Sequence, residues 1–346
     1  MSSVCLVRPA GAASTRPVTA QGGVAIKEYL IPTDNSAPYG ITVGPDGNLW
    51  FTEANVDKIG KMTPKGTFRE YPVATSYVGL NDITVGPDGN LWFIEEHVHR
   101  IGRMTLTGVV TEFAIPTDAI YLGSITAGPD GNLWFTEHSE KKIGRITPQG
   151  RVTEFFLPDP DPNTSLSSIT KGPDNALWFT ITAQYADKIG RITTSGAITE
   201  YVLPSSLSGP QSIVTGPDRN LWFTEVSGKI GRITRHGVIT EYPVPLLGNI
   251  LPTPLFITAG PDGNLWFSEY SDMIGRITPG GSITEFQLSS EHGAGESRQV
   301  LSRASGSRSG TQIASARLNP CIVSDEGGLA GEGIDWSLHE KAFQGC

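Results

Sequence analysis

Three short runs carry the side chains best suited to chemistry. Glu95-Glu96-His97-Val98-His99 sets two carboxylates beside two imidazoles, and Glu137-His138 repeats the pairing further along. Glu291-His292-Gly293 stands nearer the C-terminus. An imidazole titrates near neutrality, so each of these histidines is a candidate general base. Imidazole and carboxylate together can also hold a divalent ion, and Asp82 and Asp118 are further oxygen donors for it. The plainer reading of the two interior runs is solvated loop charge. The choice depends on the elements that hold them.

Those elements come from an internal repeat. Gly-Pro-Asp recurs at Gly44, Gly86, Gly128, Gly172, Gly216 and Gly260, at spacings of 42 to 44 residues. Leu-Trp-Phe follows each copy, with Trp50, Trp92, Trp134, Trp178, Trp222 and Trp266. Ile-Gly-Arg/Lys comes next, then Glu-Tyr/Phe. An extra Glu28-Tyr29 precedes the first copy. Each repeat reads as four short strands, A to D, because β-branched and aromatic residues alternate with Gly/Pro/Asp punctuation. Pro45-Asp46-Gly47 has β-turn chemistry: Pro presets φ, Asp bonds its own backbone and Gly accepts positive φ. Four strands per repeat of this length is the period of a β-propeller blade. The fold class is therefore all-β, a β-propeller with six recognisable four-stranded blades.

Spacing also separates the two rims. Gly-Pro-Asp to Trp is 6 residues and Ile-Gly to Glu is 10 in all six copies. Trp to Ile-Gly varies from 9 to 12. All length change therefore sits in the B–C and D–A connections, which share one rim of an up-and-down blade. Loops carry function, so that rim is the expected binding face, and it holds Glu96, His97 and His138. The six tryptophans read as packing between neighbouring sheets. The basic series from Lys61 to Arg276 reads as partners of carboxylates on neighbouring strands. The Gly-Pro-Asp aspartates read as turn formers, since one turn offers too few oxygens for calcium.

Composition excludes several classes. The chain has 346 residues, with 41 Gly and 25 Pro, too turn-rich for a helical bundle. Its net charge of −9 offers no electrostatic case for nucleic acid or an anionic membrane. No apolar run approaches the length of a membrane-spanning helix. Cys5, Cys321 and Cys346 form neither a disulfide framework nor a zinc pattern. Residues 1–23 read as a loose leader without a signal-peptide core, which favours a cytoplasmic location; secretion follows if the N-terminus is mis-assigned.

Ala37-Pro38-Tyr39-Gly40-Ile41-Thr42, then Gly44 to Glu53, then Lys58-Ile59-Gly60 resembles a blade of the virginiamycin B (streptogramin B) lyase family. Asp174 to Thr180 and Lys188 to Gly196 are similar too. The resemblance covers residues 24–288. It implies a seven-bladed propeller that linearises a cyclic depsipeptide antibiotic by elimination. It implies a histidine that takes the proton alpha to the ester carbonyl. It also implies a magnesium ion, held by glutamates, that stabilises the developing charge. The family's base lies in Glu-Pro-His-Gly at the start of a strand A, and a metal-binding glutamate follows Trp by four positions. Here the positions matching that histidine hold Tyr39, Asn81, Gly123, Ser167, Gln211 and Leu255, none of them a suitable base. Tyr39, Asn81, His97 and Gln211 are the expected ligand contacts. His292 is the candidate base and Glu291 a candidate metal ligand, where the catalytic blade would begin. Glu96 and His138 match the metal-binding offset on other blades.

After Gly293 no blade marker recurs. Residues 289–346 read as a degenerate or disordered tail, of the kind a frameshifted gene end produces, and the family's seventh blade as lost. Three functions compete. The first is a magnesium-dependent lyase with an incomplete site. The second is a non-catalytic propeller that binds a peptide, glycan or protein on the B–C and D–A rim. The third is a metal-dependent lactonase. A monomer acting on a small cyclic peptide is the expectation from the resemblance.

Overall fold

Each repeat folds as a four-stranded antiparallel sheet, and six such sheets stand in a ring. The structure, a computed structural model, describes residues 3–9, 17–19, 25–116, 121–138, 140–158, 163–246, 251–270 and 273–287. In blade 1 the strands are A Pro38–Val43, B Leu49–Glu53, C Lys58–Met62 and D Phe68–Pro72. Blades 2 to 6 repeat this order over 80–114, 122–156, 165–202, 210–243 and 254–287. Strand A of each blade packs beside strand A of the next, so the A strands line the axis. Among the described residues the one helical turn is the 3-10 segment Glu96–Val98. Among the described residues no helix is long and apolar enough to cross a membrane.

Strand B is buried along its whole length in five blades, and in blade 4 up to its last residue, Thr182, since both faces of the sheets are covered by neighbours. That is why Leu-Trp-Phe reads as a continuous apolar run, not an alternating one. Trp50 stacks on Tyr71 of its own blade with centroids 5.3 Å apart. Together they pack on Leu80, Leu91, Phe93 and Met104 of blade 2. The same arrangement recurs at the next four interfaces. Burying one such indole contributes up to about 4–6 kcal/mol.

The remaining markers serve this packing. Gly47 closes the A–B turn at φ +72°, and Asn48 N–H donates to Asp46 Oδ1 at 3.2 Å. The indole N–H donates to the turn aspartate in all six blades, at 2.9 to 3.2 Å. A Cβ on Gly44 would lie 2.5 Å from the Trp50 ring, and one on Gly60 would lie 2.2 Å from the Phe51 ring. The basic series lies over the tryptophans, and four of its members pair with the turn aspartate of the same blade. Lys61–Asp46 is 2.8 Å and Arg191–Asp174 is 2.7 Å, while Arg103 and Arg145 sit 3.9 Å from Asp88 and Asp130. Arg103 and Arg145 also donate to the carbonyls of Pro148 and Thr194 on the following blade.

One feature sits outside the apolar pattern. Strand B ends in a glutamate in five blades: Glu53, Glu95, Glu137, Glu225 and Glu269, each at most 1% exposed. Burial, then the charge of the strand-D glutamate beside each, pushes Glu53 up to about 8 and Glu95, Glu137 and Glu225 up to about 7. In blade 4 the position is Ile181.

Before blade 1 stands a three-stranded sheet in the order β1 (Ser3–Pro9), β3 (Ala25–Ile31), β2 (Pro17–Thr19). β3 runs parallel to β1 and antiparallel to β2. Tyr29 and Ile31 pack on Leu49, Phe51 and Met62, as Tyr71 and Val73 pack on blade 2. β3 is thus the outer strand that precedes the first full blade. Two segments of the stretch read as a loose leader are therefore strands. The reading of 289–346 as a tail lies outside the described residues, as do Glu291, His292 and Asp118.

Candidate functional site

Every strand A carries a β-bulge at the same place, at the axis. In four blades the bulge is locked by a threonine two residues after Trp, and in blade 6 Ser268 Oγ accepts the corresponding bond from Phe256 N–H at 3.2 Å. Thr136 Oγ1 accepts from Ser124 N–H at 2.9 Å and donates to the carbonyl of Ser167 on the next blade at 2.8 Å. Thr52, Thr180 and Thr224 do the same. Gln211, expected to contact a ligand, accepts the Thr180 bond through its backbone oxygen.

Blade 2 departs from this pattern. Ile94 replaces the threonine, and the bulge residues are Asn81 and Asp82. Asp82 Oδ2 accepts from Ser124 Oγ at 2.8 Å and from Ile125 N–H at 3.0 Å. Asn81 Nδ2 donates to Glu96 Oε2 at 3.1 Å and to the Leu122 carbonyl at 3.3 Å, and its Oδ1 is buried without a partner. Tyr39 of blade 1 meets Phe256 of blade 6 edge-on, with centroids 5.8 Å apart. Burial, then the charges of Asp82 and Glu96, drives the Tyr39 hydroxyl well above the ordinary phenol range. Burial also raises Glu96, against the opposing bond from Asn81. Tyr39, Asn81, Asp82 and Glu96 therefore form one cluster on the axis.

His138 lies on the adjacent blade. Its Nδ1 is 2.8 Å from the Leu166 carbonyl, and its ring sits edge-on to Tyr121. Burial holds its pKa below the ordinary imidazole value, against the opposing bond to Leu166. His97 is exposed and lies against Tyr77, with centroids 5.0 Å apart. His99 closes the 3-10 turn at φ 53°. No hydrogen bond or ion pair joins Glu96 to His138 among the described residues. Nor do three His, Cys, Asp or Glu side chains converge there as a metal would need. Among the described residues, Glu96 and His138 thus lack the further donors that a magnesium ion needs.

The rim of B–C and D–A connections carries exposed apolar side chains. Tyr77, Tyr121, Tyr185, Leu207, Leu251 and Tyr270 are all exposed, and all lie in B–C or D–A connections. The rim that varies in length is therefore also the rim that exposes these tyrosines and leucines, while Val109 and Val238 are exposed at the C–D turns of the other.

The family model described as the virginiamycin B lyase family matches residues 24–296. The chain belongs to the virginiamycin B lyase family. Virginiamycin B lyase from Staphylococcus aureus is 37% identical, with a TM-score of 0.69 over 82% of this chain and 90% of that one. A catalytically inactive, histidine-substituted form of the S. aureus enzyme, with quinupristin, is 36% identical over 80% of this chain and 89% of that one, again with a TM-score of 0.69. The curated virginiamycin B lyase of Bacillus licheniformis is 44% identical over 43 residues, which span 12% of this chain and 15% of that relative. A gluconolactonase from Xanthomonas campestris, 15% identical with a TM-score of 0.51, shares the fold alone.

The axial cluster was only partly visible in the sequence. Tyr39, Asn81 and Glu96 were candidates, but Asp82 was weighed only as a metal donor and Phe256 was missed. The available signal was Ile94, which breaks the hydroxyl series of the other blades, threonine in four and Ser268 in the sixth.

Proposed function

We propose that this member of the virginiamycin B lyase family binds a cyclic depsipeptide of the streptogramin B type at the axis, on the apolar rim. We further propose that its elimination activity is very weak or absent. The observation that carries the reading is the coincidence of the Tyr39–Asn81–Asp82–Glu96 cluster with the exposed aromatic rim, on a fold shared with a relative that has quinupristin. A cyclic depsipeptide presents apolar side chains and a ring of amide and ester carbonyls. The rim suits the former. The phenol of Tyr39 is a donor suited to the latter, and the unpartnered Asn81 Oδ1 is an acceptor for an amide N–H.

Elimination needs a base at the alpha proton and an electrophile where negative charge grows. His138 is neutral at pH 7 and has the lone pair for the first role. Glu96 and Asp82 put negative charge where the second role needs positive charge, which opposes turnover.

The test is calorimetric titration with quinupristin. Micromolar or tighter binding is expected, weakened about tenfold by Asn81→Ala and by Tyr39→Ala, in line with the loss of one buried hydrogen-bonding contact. Val109→Ala, on the opposite rim, should leave it unchanged. Absence of binding, or equal loss for all three variants, would overturn the proposal.

A further inference from the structure

Among the described residues, blade 6 lacks a cation that the other five blades all possess at the start of strand C. In those blades a basic side chain at the first position of strand C holds the strand-D glutamate. Lys58–Glu70 and Lys229–Glu241 are 2.8 Å apart, Lys188–Glu200 is 2.6 Å, Lys142–Glu154 is 3.4 Å, and Arg100 pairs with Glu112. A hydroxyl from the preceding D–A connection joins three of these pairs. Thr33 donates to Glu70 at 2.6 Å, Thr75 to Glu112 at 2.7 Å and Ser205 to Glu241 at 2.6 Å. Each hydroxyl stands four residues after the aromatic of the preceding strand D.

Blade 6 replaces both groups with apolar ones. Met273 takes the basic position, opposite Gln287 in the register that sets Lys58 opposite Pro72. Leu246 takes the hydroxyl position, four residues after Tyr242. Both acids are kept. Glu285 is half-buried on strand D, and Glu269 at the end of strand B is 1% exposed, with Oε1 lacking a partner. Burial, then a hydrogen bond and charge from Glu285, raises the Glu269 carboxyl far above the ordinary range. Leu246, Leu251 and Tyr270 are exposed on the same rim.

We propose that Glu269 and Glu285 form a binding site for a small primary alkylammonium ion, its charged head on the carboxylates and its chain along Met273 and the exposed leucines. The other blades supply the template. There the same strand-D carboxylate accepts from a tethered ammonium or guanidinium at salt-bridge distance, and the stem of that side chain runs where Met273 lies. The site is distinct from the axial cluster, because strands C and D are the outer strands of the blade. It does not depend on the depsipeptide reading.

The experiment is thermal unfolding of the full chain at pH 7, with n-butylammonium chloride as the probe. Sodium chloride and n-butanol serve as matched controls. A saturable rise in Tm of about 2–4 °C is expected with the amine alone. Glu285→Gln should abolish that rise. Met273→Lys supplies the ammonium from within the chain, so it should melt above the parent and no longer respond. Should Met273→Lys fail to fold, the Glu285→Gln comparison decides. An absent rise, one matched by sodium chloride, or one that persists in Glu285→Gln overturns the proposal.

Discussion

The Nδ1 of His138 sits 2.8 Å from the backbone carbonyl of Leu166, on the neighbouring blade. A carbonyl can only accept, so Nδ1 carries the hydrogen and Nε2 keeps its lone pair. The fold thereby selects one tautomer and a neutral ring at the edge of the axial cluster.

A titration follows from that contact. Burial depresses the His138 pKa below its ordinary value of 6.5, so the ring should stay neutral until the solution is distinctly acidic. An NMR pH titration should show one imidazole with a midpoint below that value, assigned by its loss in His138→Ala. A midpoint at or above it would mean the ring is solvated.

The buried glutamates give stability an unusual pH dependence. Glu53 rises from 4.5 to about 8, and Glu95, Glu137 and Glu225 to about 7. A raised folded pKa means the fold favours the protonated form. Its stabilising effect is complete below the unfolded value and is lost as pH rises through about 7 to 8. Glu137→Gln should therefore be more stable than the parent by about 1–3 kcal/mol at high pH, and close to it near pH 5. Denaturant melts at both pH values check this. Equal effects at the two pH values would contradict it.

Two glycines should respond in opposite ways to a methyl group. A Cβ on Gly144 would lie 2.1 Å from the Phe135 ring, so Gly144→Ala should cost roughly 1–3 kcal/mol or more. A Cβ on Gly280 has Thr278 Oγ1 as its nearest neighbour at 3.7 Å, and the backbone there is not left-handed. Gly280→Ala should therefore be neutral or stabilising by about 0.4–1 kcal/mol. Chemical denaturation of both variants measures the difference.

These contrasts show what the sequence could reveal. Trp50, Gly60 and Pro45-Asp46-Gly47 recur in one order because each makes a contact inside its own repeat, Trp50 with Asp46 and Gly60 with Phe51, so blade number, strand order and the buried tryptophans were legible. The basic series was read as pairing with carboxylates, but its main partner proved to be the turn aspartate of the same blade. The packing of the tryptophans between sheets was legible too, but the polar contacts between blades were not. Thr136 acts on Ser167, a residue 31 positions away, through a backbone carbonyl that leaves no side-chain signature. The acid of Glu53 hides inside an apolar run, because its carboxyl is buried in the protonated form. Tyr39 and Phe256 meet only because the ring closes, and no local spacing encodes that contact.

The central claim is binding without appreciable elimination. The direct measurement is incubation of the full chain with quinupristin and magnesium, followed by liquid chromatography and mass spectrometry. Elimination keeps the mass and changes the retention time, whereas hydrolysis adds a water. The account predicts that quinupristin binds yet is recovered unchanged, at a rate at least 10²–10⁴-fold below that expected of a site with a positioned base. Rapid conversion to an isomer of equal mass would contradict it. His138→Ala and His292→Ala would then show which imidazole takes the proton.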